Sequence, residues 1–170
     1  MIGFRRCVEK IMDEKCILLD TSFCIRLLVE NDPLHTNVLG FYKHFLDRGY
    51  NLKLSTISIA EYCVRGKIDE LPLRNLEVLP FNSDHAVKSG EFARITFAHK
   101  NVLDLPNRLI IPNDTKLFAQ AHAESEISHF ATSDIECMKV YSLLKDKTNV
   151  DFEVMNIRES YSSVLSILAF

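Results

Sequence analysis

No apolar run in this sequence reaches the roughly 18 residues that a membrane-crossing helix needs. Near the start, Arg5, Arg6, Glu9 and Lys10 break up the hydrophobic stretch that a secretory signal requires. A cytoplasmic protein with no membrane partner is therefore expected. Paired cysteines are missing as well: Cys7, Cys16, Cys24, Cys63 and Cys137 are odd in number, with neither a CxxC pair nor zinc-ligand spacing. They read as reduced thiols packed in the interior. His35, His44, His85, His99, His122 and His129 form no HxH or HExxH element, and none is assigned a metal. Positive charge is scarce too. With a net charge of −3, a nucleic acid could be held only by a local basic patch. Internal repeats, low-complexity tracts and linkers are absent.

What remains is a globular composition, 47% hydrophobic and 25% charged. The 170 residues suffice for one domain whose core needs no disulfide or zinc staple. The expectation is a single domain over 1–170, with its core at about 16–157 and a helical extension over 158–170. Short β-like runs at 16–20 (CILLD), 52–56, 76–79, 127–132 and 152–157 alternate with helical patterns. The first helix runs to about residue 30, with Thr21 or Ser22 as its cap. Asp32 caps a second, with Pro33 in its first turn, a stripe of Val38, Phe41, Tyr42, Phe45 and Leu46, and an end at Arg48-Gly49. Helix is also expected at 58–65 (closed by Gly66), at 84–98 with Ala86, Val87, Gly90, Ala93 and Phe97 along one side, at 113–125 and at 135–144. The stretch 100–112, with two prolines, has no settled period. Such alternation predicts an α/β fold: three α/β/α layers around a central parallel sheet.

Four acids occupy related places in this pattern. Asp20 follows the first strand, Glu61 lies in the helix after the second, Asp114 opens a later helix, and Asp134 follows "HFAT". Each has an ordinary explanation. Glu61 completes a capping-box pattern with Ser58, Asp114 suits a helix dipole, and Asp20 and Asp134 suit caps before helices. Yet Asp114 shares a helix face with Leu117, Phe118 and Ala121, which aims it at the sheet. Capping also leaves the joint placement unexplained, since acids at the carboxyl ends of parallel strands meet in one crevice. Converging carboxylates raise one another's pKa unless a hard cation neutralises them. Magnesium or manganese, both oxygen-seeking, would fit, and would activate water for phosphodiester hydrolysis.

At "LLDTS", "STISIAE", "DTKLFAQA" and "ATSDIE" the sequence resembles the PIN-domain family of metal-dependent ribonucleases, and among them VapC-like toxins. The resemblance covers about residues 16 to 157, with the four elements in the family's order. It implies a PIN-like three-layer fold and an acidic pocket that binds one or two magnesium or manganese ions and cleaves RNA. Carried over, Asp20, Glu61, Asp114 and Asp134 form the acidic quartet. Thr21 or Ser22 supports the first acid through a hydroxyl, and Thr132 hydrogen-bonds within the site. Glu136 stands where relatives often carry a second Asp, a further ligand candidate. A small antitoxin partner and a homodimer are also implied. The chain is longer than the compact toxins, with extra residues at both ends and in 66–112.

For phosphate contacts, Arg65, Lys67 and Lys116 are the candidates beside the pocket. A haloacid-dehalogenase-type phosphatase is disfavoured because Ser22 stands where its second Asp belongs, and a response-regulator receiver because "KCILLD" offers no acidic pair. The different-class alternative is a non-catalytic PIN-fold module that binds RNA or protein. Tyr161, Val164, Leu165 and Leu168 form a helical stripe, expected to pack on the chain's own core rather than to make an interface.

Overall fold

The computed structural model describes residues 15–103 and 110–168. Five strands form one sheet: β1 (Cys16–Leu19), β2 (Asn51–Ser55), β3 (Glu77–Leu79), β4 (Ile127–Thr132) and β5 (Glu153–Asn156). Their order is β3-β2-β1-β4-β5, and every pairing is parallel. The chain moves outward from β1 to β3, then returns to the other side of β1. Strand order therefore reverses between β1 and β4, the place where such sheets open a ligand crevice beyond their carboxyl ends.

The helices are α1 (Thr21–Leu28), α2 (His35–Asp47), α3 (Thr56–Tyr62), α4 (Ser83–Ala98), α5 (Lys100–Leu103), α6 (Ile110–Ala123), α7 (Ile135–Lys147) and α8 (Tyr161–Leu168). Because side chains alternate across a strand, β1 feeds both sides. Ile17 and Leu19 join Phe23 of α1 and Phe41 and Phe45 of α2, whereas Cys16 and Leu18 join Phe118 of α6 and Val140 of α7. These two apolar layers make the expected three-layer α/β/α architecture. On the second side Phe118 contacts the rings of Phe130, Phe152 and Tyr141 at centroid distances of 5.2, 5.7 and 6.0 Å.

Several local expectations are corrected. Asp20, not Thr21 or Ser22, caps α1. The second helix starts at His35 rather than after Asp32. Asp32 instead accepts the Leu34 N–H and pairs with Arg26 at 2.8 Å. Ser55 caps α3, its hydroxyl accepting the Ile57 N–H, so Ser58 is interior and starts no capping box. Gly49, at φ +68°, ends the α2 region as expected. Cys63 is exposed, unlike the buried Cys16, Cys24 and Cys137; Cys7 lies outside the described residues.

The largest correction concerns α4. Its buried face is His85, Ser89, Phe92 and Thr96, while Val87 is 77% exposed. The helix packs against α6, and the His85 and Thr96 side chains have hydrogen-bond partners. His85 Nδ1 accepts the Asn82 N–H, which leaves Nε2 to donate to Glu124 at 2.9 Å. The Thr96 hydroxyl donates to the Phe92 carbonyl. Buried polar side chains with partners can occupy a core face, so counting apolar positions alone picks the wrong side of α4.

The C-terminal stripe packs on the chain's own core: Leu165 is buried, Val164 lies against the same cluster, and Tyr161 meets Phe41 edge-on at 6.3 Å. A side chain on Gly40 would stand 2.6 Å from the Tyr161 ring, so only glycine permits this approach. The Leu168 side chain lies outside what is described.

Urea unfolding tests the orientation of α4. Phe92→Ala is expected to lose about 3–5 kcal/mol, and Val87→Ala to stay within about 0.5 kcal/mol of the parent. Equal losses would return Val87 to the core.

Candidate active site

A cavity of about 260 Å³ opens at the carboxyl ends of the strands. Asp20, Glu61, Asp114 and Asp134 all line it, together with Thr21, Ser22, Asn113 and the apolar Ile25 and Leu117. A larger depression of about 690 Å³ along α7 contains none of these acids; the convergence of chemistry, rather than size, marks the smaller one.

Asp20 ends β1 and caps α1. Its Oδ1 accepts the Thr21 N–H at 2.8 Å, and its Oδ2 accepts the hydroxyls of Ser22 and Thr132 at 2.6 and 2.7 Å. It is only 8% exposed, and desolvation raises its pKa in spite of those three donors. Thr132 also links the two ends of the site: while donating to Asp20, its oxygen accepts the Asp134 N–H at 3.0 Å. Ser22 accepts the Ser133 N–H. Hydroxyl residues at the ends of neighbouring strands thus lock the first acid to the last.

Asp134 caps α7, its Oδ1 accepting the Glu136 and Cys137 N–H groups at 2.8 and 3.3 Å. Glu61 turns away from Ser58 and accepts the Thr21 hydroxyl at 2.5 Å. Burial raises its pKa first; Thr21 opposes that, Asp20 adds to it, and a hydrogen bond from Asn113 opposes it again.

Asp114 departs furthest from a capping role. Helix α6 begins at Ile110, with Pro112 in its first turn, so Asp114 lies a turn inside. It is 9% exposed, and its Oδ2 is buried with no hydrogen-bond partner among the described residues. Desolvation, then repulsion from Asp20, Asp134 and Glu61, push its pKa to about 8; a hydrogen bond from the Cys137 thiol opposes the rise. All three other acids lie close enough to act on it, in keeping with the shared cavity.

The remaining candidates separate. Glu136 does not line the cavity and instead pairs with Lys139 at 3.0 Å. Arg65 lines an adjoining cavity of about 610 Å³ that shares Thr21, Ile25 and Glu61 with the acidic one. Lys116 is close enough to Glu61 to lower its pKa, whereas Lys67 is exposed and lines neither cavity. Sequence reading missed Asn113 and Cys137. Asn113 stands beside Asp114 in the helix expected at 113–125, but nothing in its spacing marked it as lining the cavity.

Among the described residues, no set of three or more His, Cys, Asp or Glu side chains stands ready to hold an ion as placed. Asp20 and Asp134 are turned toward hydroxyl and amide donors. The donor set is nonetheless all oxygen, and the orphaned Asp114 Oδ2 is an unfilled acceptor among like charges. That suits a hard divalent cation.

The sequence profile described as the PIN domain matches residues 17–143. The chain belongs to the PIN-domain family. No curated protein matches it. Among solved structures it is similar to VapBC2 from Rickettsia felis bound to a promoter DNA fragment, with TM-score 0.56 and 16% identity over 83% of this chain and 98% of that one. VapBC-1 from nontypeable Haemophilus influenzae gives 0.55 and 16%, covering 85% and 99% of the respective chains. VapC20 from Mycobacterium tuberculosis, described as a sarcin-ricin loop cleaving toxin, gives 0.50 and 16%, covering 72% and 92%. At such identities the likeness is one of fold, and it agrees with the PIN architecture seen here.

A pH dependence of stability follows from Asp114. Its folded pKa of about 8 exceeds the unfolded value of about 3.9, so the folded state holds the extra proton between these limits and stability falls as pH rises through them. In chelator-containing buffer, Asp114→Asn is expected to melt about 2 °C or more above the parent at pH 8, the gap closing toward pH 4. A gap that is constant with pH would show that this acid is not strained by burial.

Proposed function

We propose that this PIN-domain protein is a magnesium- or manganese-dependent ribonuclease. The observation that carries the reading is the meeting of four carboxylates, from the caps of α1 and α7 and from within α3 and α6, in one cavity at the strand-order reversal, one of them with a buried oxygen unpartnered among the described residues. Family membership supports it.

Asp20, Asp114 and Asp134, with Glu61, are the residues that would hold the cation. Bound there, it would offset charge building on a phosphate and make a water molecule more acidic. The protein's own groups do the positioning. Thr132 and Ser22 hold Asp20 through its Oδ2, and Thr21 orients Glu61. With its pKa raised by burial, Glu61 is suited to receive a proton on a carboxylate oxygen during attack on phosphorus. Ile25 and Leu117 form an apolar wall that limits bulk water.

The same reading extends to a toxin with a small antitoxin partner, as in the VapBC assemblies that share the fold. It is supported by the exposed Ile25, Val29 and Val64 around the cavity adjoining Glu61, an apolar surface of the kind that marks protein contacts.

Purified protein is expected to cleave single-stranded RNA when manganese is supplied and to stop on chelation. Asp20→Asn or Asp114→Asn should each lower the rate by about 100-fold or more, since losing even an outer partner of a metal ligand costs about 10–100-fold, with circular dichroism unchanged. Cleavage that survives both substitutions defeats the proposal. RNA binding without any cleavage would favour the non-catalytic module instead.

A further inference from the structure

An acidic pocket on a chain of net charge −3 repels the backbone of its own proposed substrate, so cations must stand close by. Many basic side chains are neutralised locally. Arg26 is closed by both oxygens of Asp32 at 2.9 and 2.8 Å, and Lys53, Lys139 and Lys145 pair with glutamates. Arg158 is exposed and makes no salt bridge among the described residues.

Its position is tightly specified. The Nε–H of Arg158 donates to the carbonyl of Ser133 at 2.6 Å, the residue before Asp134. The Ser133 N–H in turn donates to Ser22 Oγ at 3.1 Å, and Ser22 lines the acidic cavity. The turn that carries Arg158 follows β5 and is held from several directions. Asn156 Oδ1 accepts the Arg158 N–H, the Ile157 N–H donates to the Thr132 carbonyl, and Asn37 Nδ2 donates to the carbonyls of Ile157 and Glu159. Nε is occupied by the anchor, which leaves the two terminal nitrogens as a fork suited to phosphate oxygens.

The sheet order places this group on a line. Glu61 and Arg65 follow β2, Asp20 follows β1, Asp134 follows β4 and Arg158 follows β5, with those strands adjacent in that order. We propose that Arg158 is a phosphate-binding residue that holds the RNA backbone on the β5 side of the acidic pocket, with Arg65 on the β2 side, so that the strand crosses the acids between two cations. This rests on the ribonuclease reading above. The competing account is that Arg158 only satisfies the Ser133 carbonyl.

Anisotropy titrations of a short fluorescein-labelled single-stranded RNA, with calcium replacing manganese, separate the two at several salt concentrations. Arg158→Gln keeps an amide donor for Ser133 but removes the charge. It is expected to weaken binding about 10-fold, the worth of one charged hydrogen-bond contact, and to lower the slope of log affinity against log salt by about 1. Arg158→Lys should keep most of the slope, and Arg94→Gln, an exchange on α4, all of it. A lower melting temperature in Arg158→Gln with an unchanged salt slope would overturn the proposal and leave the carbonyl-capping role. Failure of the unaltered protein to bind RNA would overturn the ribonuclease reading and this inference together. RNA bound and cleaved with no slope change on either Arg158 substitution would overturn this inference alone.

Discussion

Asp20 has both carboxylate oxygens filled by donors, yet burial still holds its pKa above the ordinary carboxylate range. It shares its cavity with three more acids, and desolvated like charges at such range repel one another. That confinement is the constraint on which the local architecture turns. The hydroxyls of Thr21, Ser22 and Thr132 supply neutral donors where a basic side chain would have closed the cavity, and Thr132 serves the first acid and the amide of the last with one oxygen. Asp114 is left with an oxygen that nothing among the described residues satisfies.

A parallel sheet makes the confinement mechanically sustainable. Asp20 and Asp134 leave adjacent strands at the same end, and Asp20 N–H still donates to the Ala131 carbonyl at 3.0 Å, carrying the ladder into the site. Rigid neighbours on both faces, the Phe23, Phe41 and Phe45 group and the Phe118, Phe130 and Phe152 group, hold these strand ends in place. Close packing transmits such restraint because interiors deform little. The acids therefore cannot readily drift apart to relieve their repulsion.

The same economy of hydroxyl and amide groups recurs around Ser133, which is bonded through its N–H, hydroxyl and carbonyl to Ser22, Arg26 and Arg158. The side chain of Arg26 is neutralised within the fold by Asp32, while that of Arg158 faces outward. Two arginines reaching one serine thus have different electrostatic consequences, and only their partners distinguish them.

Much of this was legible in the order of residues. The alternation of strand and helix, the parallel sheet and the four acids at element ends follow from periodicity, which is a local property of the chain. Helix caps were less legible: Asp20, Thr21 and Ser22 all suited the cap of α1, which Asp20 takes, and Ser55 rather than Ser58 caps α3, because adjacent polar residues compete for the same amides. The buried face of α4 was hidden because it carries polar residues, of which His85 and Thr96 are interior through a partner remote in sequence and one a turn away. Glu136 was a ligand candidate only through the family resemblance, and Lys139 lies one turn along the same helix to claim it. By itself, then, the sequence determined which kinds of element form and which acids lie at their ends. Only the tertiary structure decided which oxygens share a cavity and which is left without a donor among the described residues, since each depends on distances between segments far apart along the chain.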